Sequence, residues 1–179
     1  MNSTFRTSAI LAIAPLILAA LAACTPTVAL QPAADATNPG CAEIIVRLPD
    51  AVAGYPIRQT DAQATSAWGD PTSVILRCGV TPPGPTTAVC YTVNGIDWLI
   101  DASKEPTYVF TTFGRTPATE VIVDSKLTDG QGTIILSDLS NAIGSVRQTG
   151  KCVNHEDVLG DASGVVPSAT PSPTPTPSP

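Results

Sequence analysis

The sequence predicts an α+β domain: an antiparallel sheet of five or six strands, one main helix packed on a face, and two disulfides. Three observations predict it. Across the middle of the chain the apolar residues recur mostly with period two, the spacing of strands with one buried face. Asn94-Gly95 separates two such runs, and a two-residue type I′ turn, which needs positive φ at both central positions, suits Asn followed by Gly. Leu136, Leu139, Ala142 or Ile143 and Val146 fall on one helical stripe.

The elements follow in order. Glu43-Ile44-Ile45-Val46-Arg47-Leu48 is a strand candidate ended by Pro49, and a short helix is expected near Ala62 to Trp68. Ser73 to Val80, rich in Val, Ile and Leu, is a second strand. Around Asn94-Gly95, Val93 faces Ile96, Tyr91 faces Trp98 and Val89 faces Ile100, so three apolar pairs share one face. Thr92 opposite Asp97 and Cys90 opposite Leu99 make the other face. Tyr108 to Phe113 and Thr119 to Asp124 are strand-like, with Phe113-Gly114-Arg115-Thr116-Pro117 as their turn. The helix is expected over Leu136 to Val146, capped by Ser137 or Thr133, weakened by Gly144 and followed by Gly150.

The N-terminus carries one positive charge, Arg6, then an apolar run from Ala9 to Ala23 that ends in Leu21-Ala22-Ala23-Cys24. Small residues just before a cysteine resemble a bacterial lipobox, in which Cys24 is acylated and becomes the first mature residue. The run is short of the roughly 20 residues a spanning helix needs, and Pro15 interrupts it. The expected organisation is a lipoprotein signal peptide over 1–23, lipidated Cys24 and a flexible tether over 24–40, a single α+β domain over 41–160, and a disordered Pro/Ser/Thr-rich tail over 161–179. The expected location is the outer, extracytoplasmic face of the cell membrane, held by acyl chains such as palmitate. Each buried methylene contributes about 0.8 kcal/mol to such an anchor, so more than one chain is needed to hold it.

The remaining cysteines, Cys41, Cys78, Cys90 and Cys152, are even in number in an exported chain and read as two disulfides. Three pairings are open. The favoured one is Cys78–Cys90, across a Pro/Gly-rich loop, with Cys41–Cys152 tying the start of the domain to its end.

Removing residues 1–23 takes away only Arg6 and leaves eight basic against fifteen acidic residues. Such a surface repels phosphate backbones and argues against nucleic acid as a partner. The expected partners are the membrane, through the lipid, and an envelope protein or cell-wall polymer.

The blocks Trp68-Gly69-Asp70-Pro71, Val74-Ile75-Leu76-Arg77-Cys78-Gly79-Val80, Gly95-Ile96-Asp97-Trp98 and Phe113-Gly114-Arg115 are similar to an uncharacterised family of actinobacterial membrane-anchored or secreted proteins, a domain of unknown function. The resemblance covers roughly Cys41 to Val146; it implies an envelope location and supplies no activity.

Catalytic chemistry finds few parts. No Gly-x-Ser-x-Gly or Ser-x-x-Lys occurs, and His155 is the one histidine. Asp97 and Asp101 are the one carboxylate pair to weigh for acid–base work on a sugar polymer, against ordinary solvated acids. Asp129-Gly130 lacks the oxygen ligands of a calcium loop, and no metal or cofactor is expected. Arg77 and Arg115 are candidates for an anion-binding site on one sheet edge, against internal salt bridges to Asp70, Asp97 or Glu120. Trp68 and Trp98 could stack on a sugar or anchor the core. The leading expectation is a binding or accessory module of the envelope. The alternative is an enzyme acting on envelope polymers through carboxylates.

Overall fold

In the computed structural model the chain is described over residues 26–152. Helix α1 (Pro39–Ile45) leads into strands β1 (Ala51–Val52), β2 (Tyr55–Arg58), β3 (Thr65–Trp68) and β4 (Val74–Val80). Strands β5 (Cys90–Val93), β6 (Ile96–Lys104), β7 (Thr107–Thr112) and β8 (Ala118–Asp124) follow, then helix α2 (Gly132–Ile143). The strands form one antiparallel sheet in the order β1-β2-β3-β4-β8-β7-β6-β5. Two four-stranded meanders therefore join side by side through β4 and β8, and the Thr81–Val89 connection carries the chain from mid-sheet to the far edge.

The sheet has eight strands where five or six were expected. The extra ones are short and lack the pattern used to find strands. All four residues of β3 are buried, so this strand shows no alternation. That is why the stretch near Ala62 to Trp68 reads as a helix, whereas Thr65–Trp68 is a strand and the residues before it form a turn. The reverse correction applies to Glu43–Leu48. Asn38 caps a helix there, its Oδ1 accepting from the Gly40 N–H at 3.0 Å, and Pro39 occupies the first turn. Cys41 and Ile44, three apart, are the buried face.

The hairpin at Asn94-Gly95 has the expected register: Val93 opposite Ile96, Thr92 opposite Asp97, Tyr91 opposite Trp98, Cys90 opposite Leu99. Both turn residues have positive φ, +46° and +77°. Val89 does not pair with Ile100, because β5 begins at Cys90. Helix α2 starts four residues earlier than expected and ends three earlier, with Gly144 at its C-cap. Its N-cap is Gln131, without a side-chain cap bond, so neither Ser137 nor Thr133 serves as cap. The expected stripe is buried as drawn: Leu136, Leu139, Ala142, Ile143 and Val146.

The core lies between one sheet face and the two helices. Trp68, Leu76, Val121, Trp98, Ile44, Ile135, Leu139 and Ile143 are fully buried within it. Burial of each such aliphatic side chain contributes about 1.5–3 kcal/mol.

Residues 26–40, expected to be part of a free tether, are instead docked on the sheet. Val28 bridges Thr60, the Leu30 N–H donates to Asp61 Oδ1 at 2.8 Å, and the Asp35 N–H donates to the Gly79 carbonyl at 2.9 Å. Gly79 permits this close passage. Its φ is +93°, and a Cβ there would run into the Asp35 backbone.

The disulfides are Cys41–Cys78 and Cys90–Cys152, not the favoured pairing. Cys78 on β4 and Cys90 on β5 have β8, β7 and β6 between them. Four strand spacings put them roughly 19 Å apart across the sheet, far beyond disulfide reach. The favoured pairing assumed that strands consecutive in sequence are neighbours in space. Cys24, His155 and the tail over 161–179 lie outside the described residues.

Candidate functional site

The residues singled out from sequence turn out to hold the fold together. Trp68 is fully buried, its indole N–H donating to the Pro49 carbonyl at 3.2 Å. Ser73 closes the Gly69–Thr72 turn by donating its N–H to the Trp68 carbonyl at 2.9 Å. Arg58, which sequence reasoning passed over, clamps that turn. Its guanidinium donates to the Gly69 carbonyl, Thr72 Oγ1 and the Pro26 carbonyl, and lies 3.3 Å from Asp70 Oδ1. Trp98 is also fully buried, so neither tryptophan offers a face to a sugar.

Arg77 sits opposite Glu120 on the neighbouring strand, its Nε 3.0 Å from Oε1. The pair lines a groove of about 470 Å³ beside the docked segment 32–34 and Pro83. Arg115 lies elsewhere, buried in the β7–β8 turn. It donates to the Val146 carbonyl and, at 3.4 Å, to the Gly95 carbonyl. Burial pulls its pKa below the ordinary guanidinium value, and the charge of Asp97 pulls the other way. The structure does not bring Arg77 and Arg115 together.

Asp97 is buried and accepts three hydrogen bonds: from Thr92 Oγ1 at 2.6 Å, Gln148 Nε2 at 2.9 Å and the Cys152 N–H at 2.9 Å. Asp101 is exposed at the far end of the same strand. Bonds from Ser103 and the charge of Lys104 hold its pKa below the usual carboxylate value, with the Ser103 bonds the larger effect. One carboxylate is saturated by structural donors and the other faces water, so the two do not form a working pair.

The most developed concavity is built by other residues. Tyr91, Val93, Ile100, Tyr108, Phe110 and Val123 share one sheet face, as the pairings Phe110 with Ile100 and Tyr108 with Val123 require. Opposite them stand Ser125, Thr128, Gly130, Gly132, Thr133 and Leu136, from the β8–α2 connection and the first turns of α2. They enclose about 490 Å³, within the range of small-molecule sites. The lining carries no charged side chain. One of its hydroxyls is already spent, Thr128 Oγ1 donating to the Asp124 carbonyl at 2.8 Å, and the Thr92 hydroxyl is on the other face of the sheet, donating to Asp97. Tyr108 has its pKa raised, chiefly by the neighbouring Glu105 carboxylate.

The sequence held one signal for this cleft, the apolar face shared by Tyr91, Val93 and Trp98. The length of α2 hides the rest. Its first turns stand over that face, Asn94 Nδ2 donating to Ser137 Oγ at 2.8 Å, and Tyr91, Tyr108 and Phe110 stay partly exposed beside them.

A family model described as protein of unknown function (DUF3515) matches residues 4–152, and the chain belongs to that family. No curated protein matches the chain. No solved structure matches it either.

Proposed function

Taking the chain as a member of that family of unknown function, we propose that it is a lipid-anchored protein of the outer membrane face. Its folded domain is a binding or accessory module, and its ligand site is the cleft between the β5–β8 face and the start of α2. The anchor reading is supported by the apolar run Ala9–Ala23 and the small residues before Cys24. Two disulfides within the described residues fit an oxidising, extracytoplasmic compartment.

The observation that carries the binding reading is the cleft: ligand-sized, lined by aromatic and uncharged side chains, between the β5–β8 face and the first turns of α2. A catalytic role would need a titratable group free to act. Of the two carboxylates weighed for that role, Asp97 is committed to Thr92, Gln148 and Cys152, and the exposed Asp101 is not among the residues that line the cleft.

Fractionation of cells producing the full chain or Cys24→Ala tests the anchor. The parent chain is expected in the membrane fraction and the variant in the medium. Intact mass of the parent should show acyl increments on Cys24. A soluble parent chain with an unmodified Cys24 overturns the anchor.

A further inference from the structure

We infer that the cleft takes the hydrocarbon chain of an uncharged lipid, an inference that rests on the cleft being the binding site. Charge comes first. No lining residue is a lysine, arginine, aspartate or glutamate, and the carboxylate that acts on one of them, Glu105 on Tyr108, is itself outside the lining, so a charged group inside would lose its hydration without compensation. A polyhydroxylated sugar fits no better, because it needs amides, carboxylates or guanidinium forks. Here the polar groups are hydroxyls, and Thr92 and Thr128 already direct theirs elsewhere.

Shape points the same way. The sheet-side wall draws on β5, β6, β7 and β8, four neighbouring strands. Strand spacing makes such a cleft roughly 15 Å long across the strands, a channel suited to a linear chain. It reaches the sheet edge at β5, where Tyr91 is 55% exposed. Leu127 and Ile134, also exposed, adjoin the lining residues Thr128 and Thr133 in sequence. The exposed Tyr91 thus leaves an apolar ring at the edge where a lipid chain would enter.

Titration calorimetry of the full exported chain with octanol, decanol and dodecanol tests this. Each added methylene should tighten binding about fourfold, so each two-carbon step should gain roughly fifteenfold until the cleft is full. Methyl glucoside should not bind. Phe110→Asp should abolish binding, but it touches the core. Tyr91→Ser, at an exposed position, keeps the fold and should weaken dodecanol several-fold. Sedimentation of the Cys24→Ser chain with phosphatidylcholine vesicles separates a free chain from one drawn out of a bilayer: vesicle binding lost in Tyr91→Ser assigns the bilayer as source. Vesicle binding unchanged in Tyr91→Ser, with no alkanol binding, overturns the inference. Binding in the cleft without chain-length dependence overturns the hydrocarbon and keeps the site. No response to any probe overturns both.

Discussion

The backbone N–H of Cys152 donates to Asp97 Oδ2 at 2.9 Å, joining residues 55 positions apart. Gln148 donates to the same oxygen, and Cys152 is bonded to Cys90 on the strand beside Asp97. The Thr149 and Gly150 N–H groups both donate to the Gly114 carbonyl. A Cβ on Gly114, whose φ is +68°, would meet the Gly150 backbone. The segment after α2 is thus stitched across the sheet by a carboxylate, a disulfide and a glycine contact. Two residues of the family-like blocks, Asp97 and Gly114, serve architecture here.

Arg115 completes that arrangement. Replacing it by Met leaves the Val146 carbonyl, on a buried residue, without its donor and removes the longer contact to the exposed Gly95. The expected loss is about 1–3 kcal/mol, the cost of one unsatisfied buried acceptor. Urea unfolding should show a lower midpoint with an unchanged slope. Arg115→Lys should recover only part, because an ammonium cannot reproduce the two-pronged contact.

Cleavage of the unreduced protein followed by peptide mass analysis should recover Cys41 linked to Cys78 and Cys90 linked to Cys152. Their sequence separations of 37 and 62 imply similar loop-entropy contributions, about 4 kcal/mol each. The first pair is fully buried and the second half-exposed. Graded reduction should therefore open Cys90–Cys152 first.

Much of this sheet was legible where local and cross-strand chemistry agree. Asn94-Gly95 announced its turn, and the apolar pairs about it set the register. The α2 stripe was legible because one face alone is buried. Legibility failed where neighbours in space are remote in sequence. Nothing in Cys78 or Cys90 says that β8, β7 and β6 lie between their strands. Residues 26–38 carry no periodicity because individual backbone groups hold them, as at Asp35 and Gly79. The cleft was half visible: Tyr91 and Val93 were placed on the apolar face, but where α2 begins over that face is a tertiary fact.

Gly79→Ala should separate the docked segment from the sheet. A side chain at φ +93° is strained, and the methyl would collide with Asp35. A loss of about 2 kcal/mol or more is expected. Proteolysis should become faster over residues 26–38 than elsewhere.

Tyr108 gives a pH signature within the cleft. Glu105 raises its pKa from the ordinary value of 10.0. The folded state thus favours the protonated phenol. That contribution is complete below the unfolded pKa of about 10 and is lost as pH rises through the higher folded value. Ultraviolet titration should show one late-ionising tyrosine, and Glu105→Gln should bring it back toward 10.0. An unmoved titration in that variant would contradict the assignment.

The most direct measurement is methyl-resolved NMR of the full exported chain titrated with dodecanol. The account predicts saturable shifts confined to Val93, Ile100, Val123 and Leu136, with Ile44 and Val52, far from the cleft, unmoved. Shifts scattered over the surface, or none in those four methyl groups, would contradict it.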